Sequence, residues 1–463
     1  MPYFSRAKRG ARAMRSDLVA CYGEERLPRY TSYPTAPNFS DSIGPETYAE
    51  WLRAIPQQAI TSLYLHVPFC RSMCWYCGCH TSVARRDEPI AVYWSTLRRE
   101  IEQVVRLIDC RLKVGQVHFG GGTPTLLAPD QFADLMRSIR HGFFVAPSVE
   151  IAIEIDPRTL RGAMIDALAL GGVNRASLGV QSFDPIVQRA INRIQCFDET
   201  AAATESLRRS GISAINFDLI YGLPHQTVAS CLDTLRRCVA LQPDRFSVFG
   251  YAHVPTFKKY QRRIDQAFLP DGSERFDQAC AITNALKDAG YVQIGLDHFA
   301  LPTDAMAIAL REGRLRRNFQ GYTTDESNVV LGFGASAIGC LPQGYVQNEV
   351  GISAYSKGIA EGRLSTAKGY ALTVDDRLRG EIIERIMCDL HVDLGVICAR
   401  HGAAVNALLD TAPRLKDLIS NGIIERDGNA LTVADDSRAL LRSVAACFDA
   451  HLGQTKRRHS RVV

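Results

Sequence analysis

The sequence predicts an α/β fold built from parallel βα units, with a second, mainly helical region behind it. Six short apolar runs, rich in β-branched or aromatic residues, stop at Gly, Pro or polar residues. Between them lie stretches whose apolar residues recur at helical spacing. Strands separated by helices at intervals of a few dozen residues are the pattern of parallel crossovers. After about residue 365 the strand-like runs give way to amphipathic helices.

Taken in order, strands are expected over 62–69, 116–121, 149–156, 175–183, 214–222 and 245–253. Helices are expected over 90–108, 130–141, 158–170, 199–210 and 228–241. Six such units can close partway into a barrel or lie open as a doubly wound sheet, and these patterns do not choose between them. In both, ligands gather at the carboxyl ends of the strands. Further on, helices are expected over 374–391 and 404–420. A hairpin then pairs 423–426 with 430–433 around Asp427 and Gly428, and a helix runs over 436–452. Helices with a short hairpin have the outline of a winged-helix-like cap. Because these segments carry no basic stripe, the region is read as a packing domain that binds no nucleic acid. There is no internal repeat beyond the βα alternation.

With 46% hydrophobic and 22% charged residues among 463, the composition excludes disordered, collagen-like and disulfide-scaffold chains. No run reaches the roughly 18 apolar residues of a spanning helix, so no membrane span is expected. The formal charge of +5 comes from the ends. Residues 1–16 hold Arg6, Lys8, Arg9, Arg12 and Arg15 without an acid, and the tail holds Lys456, Arg457, Arg458 and Arg461. Setting these nine cations aside leaves the body at about −4, the wrong sign for gripping phosphates. The Arg-rich start has a transit-peptide composition but no apolar core for secretion, and is read as a solvated terminus.

Of fourteen cysteines, Cys70, Cys74, Cys77 and Cys79 fall within ten residues. Without a secretion signal a reducing, cytoplasmic setting is expected, where so tight a cluster means metal or redox chemistry. Scattered ones such as Cys231, Cys238, Cys388 and Cys447 read as small buried hydrophobes. The cluster lies in HVPFCRSMCWYCGC, residues 66–79, at the end of the first strand. Three thiolates at C-x3-C-x2-C spacing can ligate three irons of a cubane and leave the fourth open to a small molecule. Structural zinc usually takes four ligands from two separated knuckles, and no second pair stands at that spacing. Cys79 is poorly set as a fourth ligand, with only Gly78 between it and Cys77.

This motif at the end of the first strand of a βα array resembles the radical S-adenosylmethionine enzymes. Further blocks narrow the resemblance to the oxygen-independent coproporphyrinogen III oxidase family (coproporphyrinogen dehydrogenases). They are RYTSYPT (29–35), the cluster loop with its Cys-Gly-Cys ending, GGGTPT (120–125), GVQSF (179–183) and INR (191–193). NFDLIYGLP (216–224), YAHVP (251–255), DHFA (297–300) and NFQGYTT (318–324) complete the order. The resemblance implies a partial (βα)6 radical-SAM barrel with an N-terminal arm and a mainly helical C-terminal domain. The corresponding division is 1–45 for the basic start and substrate-covering arm, 46–364 for the catalytic domain and 365–463 for the helical region.

Cys70, Cys74 and Cys77 then hold a 4Fe-4S cluster. Tyr64, Tyr76, Gly121, Gly122, Thr123, Glu154, Gln181, Arg193, Asp218, Ala252 and Ile338 carry over as the pocket for S-adenosyl-L-methionine, two molecules of it. Glycines at 120–122 also make sense alone, because a backbone without side chains can approach a ligand closely. Strand alternation sets Glu154 at a carboxyl end on the face opposite Ile151, Ile153 and Ile155. His66 and His118 read as satisfied core residues.

The implied activity converts two propionates of coproporphyrinogen III to vinyls with loss of carbon dioxide, giving protoporphyrinogen IX. Arg29 and Arg317 are candidates to hold carboxylates, and Tyr30 and Tyr33 to contact substrate or anchor the arm. A monomer reduced by a flavodoxin or ferredoxin is expected. The alternative is a haem chaperone of the same family, whose members generally lack the arm and the Cys-Gly-Cys ending.

Overall fold

The apolar run Ile60–Val67 (β1) is buried along nearly its whole length, as a central strand of a parallel sheet requires. A computed structural model describes residues 18, 21–23 and 25–453. The basic stretches 1–16 and 456–461 lie outside these residues.

Five strands follow β1 in chain order: Lys113–Gly121 (β2), Glu150–Ile155 (β3), Arg175–Gln181 (β4), Ala214–Tyr221 (β5) and Arg245–Gly250 (β6). All six expected strands are present, and all run parallel. Val292–Ile294 (β7) and His298–Ala300 (β8) form an antiparallel edge. Val329–Phe333 (β9) adds a seventh parallel strand on the other side of β1, which the sequence reading did not contain. It continues antiparallel into Ile338–Leu341 (β10), Gly344–Asn348 (β11) and Thr366–Ala371 (β12). The order β12-β11-β10-β9-β1-β2-β3-β4-β5-β6-β8-β7 is linear, so the barrel is partial rather than closed.

Helices Glu88–Ile108 (α1), Pro129–Gly142 (α2), Gly162–Leu170 (α3), Phe197–Arg209 (α4), Val228–Ala240 (α5) and Gly272–Asp288 (α6) follow successive strands. Their starts are set locally. Cys196 with Glu199, Thr227 with Ser230, and Asp271 with Glu274 form reciprocal caps. α3 begins four residues later than expected, because Asp156 turns the chain by accepting the Arg158 N–H. Leu63, Val117, Ile153, Leu178, Phe217 and Phe246 on the strands join Leu97, Phe132, Leu168, Leu207 and Leu235 on the helices in one core. Each such burial contributes about 1.5–3 kcal/mol.

Glu100 of α1 is buried within this layer. It accepts from Gly334 N at 2.7 Å, Asn348 Nδ2 at 2.5 Å and the Tyr355 hydroxyl at 2.8 Å. Next to it, Tyr93 donates to His66 O and accepts from Ala335 N. This knot pins the end of β9 against the end of β1. Burial pushes the Glu100 carboxyl up to about 7, against the pull of its three donors.

The region after residue 372 contains Val374–Asp389 (α7), Leu394–Arg400 (α8), Val405–Asp410 (α9), Arg414–Ser420 (α10) and Leu441–Ala445 (α11). The expected helix over 404–420 is two helices. Pro413 cannot continue α9 and restricts Ala412 before it. The expected helix over 436–452 is instead short 3-10 turns flanking α11. The hairpin forms from Ile424–Asp427 and Ala430–Val433, with His391–Asp393 as a third strand. Residues 440–448 are buried without a solvent face, packed in a second core with Ile382, Ile386, Leu27, Tyr30 and Tyr33. Cys231, Cys238, Cys388 and Cys447 are buried free thiols, as expected. No helix among the described residues is long and apolar enough to cross a membrane.

Candidate active site

The loop carrying the three thiols leaves β1 and is clasped by the end of β2. Gly122 N donates to Val67 O at 2.8 Å, and Thr123 N to Phe69 O at 2.7 Å. A Cβ on Gly122 would stand 2.5 Å from Phe69 O, so no larger residue permits this approach. Gly121, at φ +113°, lies in the glycine-favouring region and lies against the His66 ring. These contacts give the glycine run its physical reason.

The sulfurs have different neighbours. Cys70 Sγ accepts from Thr81 Oγ1 at 3.4 Å and Thr123 Oγ1 at 3.5 Å. Buried Cys74 Sγ faces two guanidiniums, Arg193 Nη1 at 3.7 Å and Arg158 Nη2 at 3.8 Å. Asp156 holds both arginines, with Arg158 Nη2 at 2.6 Å and Arg193 Nη2 at 3.4 Å. The Cys77 thiol comes down to about 7, chiefly through a hydrogen bond with Cys79, and the Cys79 thiol is correspondingly pushed well up. The loop backbone is pinned by Tyr260 OH to Cys77 O, Lys258 Nζ to Cys79 O and Asn192 Nδ2 to Met73 O. Tyr76 packs against Val187, Ile191, Leu223, Tyr251 and Ile264.

Glu154 ends β3 beside this loop. It accepts from Gly121 N at 3.0 Å and lies 3.4 Å from His118 Nε2. Burial opposes its charge, but these bonds and the histidine hold the carboxyl below the usual range. His66 is buried and engaged at both nitrogens, by the Tyr64 hydroxyl and His80 O. Asp218 on β5 accepts from Ser177 Oγ and Asn216 Nδ2, each at 2.9 Å. Burial and the Glu154 charge push its carboxyl up to about 6. Gln181 ends β4 at φ +67°, and Arg193 donates to Gly179 O at 2.7 Å.

Tyr64, Gly121, Glu154, Ile338, Tyr30, Tyr33 and Arg317 share the wall of a cavity of about 1570 Å3. Ala252 and Arg29 line a second cavity of about 520 Å3, which Arg317 also borders. Cys70, Cys74, Cys77, Tyr76, Gly122, Thr123, Gln181, Arg193 and Asp218 are not among either set of wall residues. The Tyr30 hydroxyl donates to Asp449 Oδ2 at 3.1 Å, and the Tyr33 hydroxyl accepts from Ala450 N at 2.9 Å. Both tyrosines therefore anchor the arm to the C-terminal region while bordering the larger cavity. The sequence reading missed Asp156 and Arg158. Their signal was the Asp-Pro-Arg run closing a strand, which acquires meaning only where it meets the 191–193 turn.

Family models, relatives and a solved structure together fix the class of protein that this barrel and thiol loop define. Residues 64–238 match the family model "Radical SAM superfamily", and residues 372–436 match "HemN C-terminal domain". The chain is 68% identical over 450 residues to the oxygen-independent coproporphyrinogen III oxidase of Bradyrhizobium diazoefficiens, covering 97% of this chain and 100% of that one. It is 39% identical to the protein of the same name from Escherichia coli strain K12, covering 94% and 96%. A solved structure described as coproporphyrinogen III oxidase (HemN) from Escherichia coli, a radical SAM enzyme, superposes with a TM-score of 0.88. Its sequence identity is 37%, and the match covers 92% of this chain and all of the other. The chain belongs to the oxygen-independent coproporphyrinogen III oxidase family of radical SAM enzymes.

Proposed function

We propose that this enzyme oxidatively decarboxylates two propionate side chains of coproporphyrinogen III to vinyls, yielding protoporphyrinogen IX. The observation that carries the reading is the three-thiol loop clasped by the glycine end of β2, beside Glu154 and a cavity of about 1570 Å3. The residues present fit a 4Fe-4S cluster. Three thiols on one loop meet hydroxyl, guanidinium and thiol partners, which favour bound thiolates. Among the described residues no three His, Cys, Asp or Glu side chains gather closely enough to hold a single metal ion.

Cys70, Cys74 and Cys77 would hold the cluster, and Cys79 would remain outside it. When bound, the cluster would supply the one electron that cleaves S-adenosylmethionine to methionine and a 5′-deoxyadenosyl radical; loss of hydrogen to that radical from the carbon β to a propionate carboxylate would leave a substrate radical that releases carbon dioxide and passes one electron to a one-electron acceptor. The chain's own residues bind, orient and exclude water. Gly121, Gly122, Thr123 and Glu154 would receive the amino-acid part of S-adenosylmethionine, Glu154 by its ionised carboxylate. Tyr64, Tyr76, Gln181, Arg193, Asp218, Ala252 and Ile338 would contact the remainder, two molecules being expected. Arg29 and Arg317 would hold substrate carboxylates, and Tyr30 and Tyr33 keep the arm across the mouth. We assign 1–45 to the arm, 46–364 to the catalytic domain and 365–463 to the C-terminal domain. We expect a cytoplasmic monomer reduced by a flavodoxin or ferredoxin.

The test is an anaerobic assay of the reconstituted protein with coproporphyrinogen III, S-adenosylmethionine and a reductant, read by mass spectrometry. Two losses of carbon dioxide coupled to 5′-deoxyadenosine support the reading. Cofactor cleavage without decarboxylation, with haem held stoichiometrically, would overturn it in favour of a chaperone.

A further inference from the structure

The thiol loop has two sides. Gly78, Cys79 and His80 border the larger cavity, whereas Met73 and Trp75 border neither cavity. Two other segments hold that second side. Trp75 N donates to Ile191 O at 2.9 Å, and Asn192 Nδ2 donates to Met73 O at 2.8 Å. Trp75 packs against the cluster of Val187, Ile191 and Ile264, and the Arg263 guanidinium lies 5.8 Å from the centre of its ring. The short helix Pro185–Ala190 with the turn after it, and the 3-10 turn Lys259–Arg263, therefore flank the outer side of the loop that carries Cys74 and Cys77.

Charge on this side has one sign. Residues 71–86, 157–165, 185–196 and 256–264 hold eleven arginines and lysines and no aspartate or glutamate. They stand out in a chain whose body, its basic ends set aside, is acidic. The acids at their borders are engaged within the fold. Asp156 holds Arg158 and Arg193, Asp87 pairs with Arg71, and Asp184 and Asp265 accept from backbone N–H groups as caps. Arg189, Lys259, Arg262 and Arg263 are exposed, and among the described residues their side chains meet no carboxylate. Beside Arg189, Ile186 and Ile194 are 54% and 62% exposed. Exposed apolar residues with a rim of charge are the make-up of an interaction face.

We propose that this face docks a small acidic electron carrier, a flavodoxin or ferredoxin, which delivers its electron from the side of the thiol loop away from the larger cavity. The proposal rests on the reading above that the three thiols hold a redox cluster. The carrier is oxidised by one electron and the cluster reduced by one, with no bond made or broken. An acidic rim on the carrier meets Arg189, Lys259, Arg262 and Arg263, which steer the encounter and raise the rate of association. None of these four residues borders either cavity, so carrier and substrate occupy the protein together.

The test measures binding of a fluorescently labelled flavodoxin, and separately of a plant-type 2Fe-2S ferredoxin, to the full-length protein with and without its reconstituted cluster. Arg189→Glu combined with Lys259→Glu should weaken carrier binding about tenfold or more at low ionic strength, and the difference from wild type should close as salt rises. Arg189→Lys should bind as wild type does. Stopped-flow reduction of the cluster by flavodoxin hydroquinone should slow to a similar extent, while reduction by photoexcited deazariboflavin, small and uncharged, is kept. Saturating coproporphyrin III should leave carrier binding unchanged. Unchanged carrier binding in the folded double variant overturns the proposal, as does failure of both carriers to bind wild type. Equal slowing with deazariboflavin also overturns it, since the cations would then act on the cluster itself. A short DNA duplex held by wild type and lost by the variant, with both carriers bound alike, would assign the face to nucleic acid instead. If the carriers bind through these cations yet no reductant reduces the reconstituted protein, the docking face stands and the reading of the thiols fails.

Discussion

Replacing Glu100 by Gln tests whether the knot between α1 and β9 holds a proton at moderate pH. The carboxyl moves from its ordinary 4.5 to about 7, because burial outweighs the bonds from Gly334, Asn348 and Tyr355. Between those values the native state binds a proton that the unfolded chain has lost, so stability falls as pH rises. The stabilisation is complete below pH 4.5 and gone once pH has passed through about 7. At 1.36 kcal/mol per pH unit, the shift amounts to about 3 kcal/mol, of which about 2.5 kcal/mol falls between pH 5 and 8. Urea unfolding of the metal-free protein at pH 5, 6, 7 and 8 measures it. Glu100→Gln has its own offset of about 1–3 kcal/mol, since an amide cannot serve three donors as a carboxyl does. The readout is therefore the difference in slope: wild type should lose about 2.5 kcal/mol more than the variant across the range. Parallel profiles would refute the reasoning and mean that Glu100 is ionised in its pocket throughout.

Other outcomes follow from the site. Cys70→Ser, Cys74→Ser or Cys77→Ser should abolish reconstituted iron and its visible absorbance, whereas Cys79→Ser should retain both; a full iron complement in any of the first three would falsify the ligand assignment. Gly122→Ala sets a methyl 2.5 Å from Phe69 O and should destabilise the loop by about 1–3 kcal/mol. Its measure is S-adenosylmethionine affinity by calorimetry, which should fall while far-ultraviolet circular dichroism is unchanged. Arg158→Gln removes one of two cations facing Cys74 and should make the midpoint potential of the reconstituted cluster more negative, read by redox titration under electron paramagnetic resonance.

The six parallel strands were legible because each is a short, mostly apolar run rich in β-branched or aromatic residues that stops at Gly, Pro or a polar residue. The strand Val329–Phe333 escaped notice because five residues with Gly332 among them and Gly334 after them carry no period, and its pairing with β1 joins positions more than 260 residues apart. The break at Pro413 was visible in the sequence, and helical periodicity on either side masked it. The helix expected over 436–452 came out too long, with only Leu441–Ala445 α-helical, because a segment buried all round has no polar face from which to read a turn. Within the site, the thiols and glycines announced themselves by spacing. Arg158 and Arg189 did not, because an isolated arginine is ordinarily a surface residue and only the fold brings these residues to a sulfur or beside the thiol loop.

The arm has a consequence for how the chain is made. Tyr30 finds Asp449 across 419 positions of sequence. At a synthesis rate of about 5–20 residues per second, the arm emerges on the order of 20–80 s before its partner exists. Leu27, Tyr30 and Tyr33 belong to a core most of whose other members lie between Leu378 and Phe448. The βα units can therefore assemble on the ribosome strand by strand while the mouth of the barrel stays uncovered, and the arm takes its seat only after the residues around Asp449 have emerged.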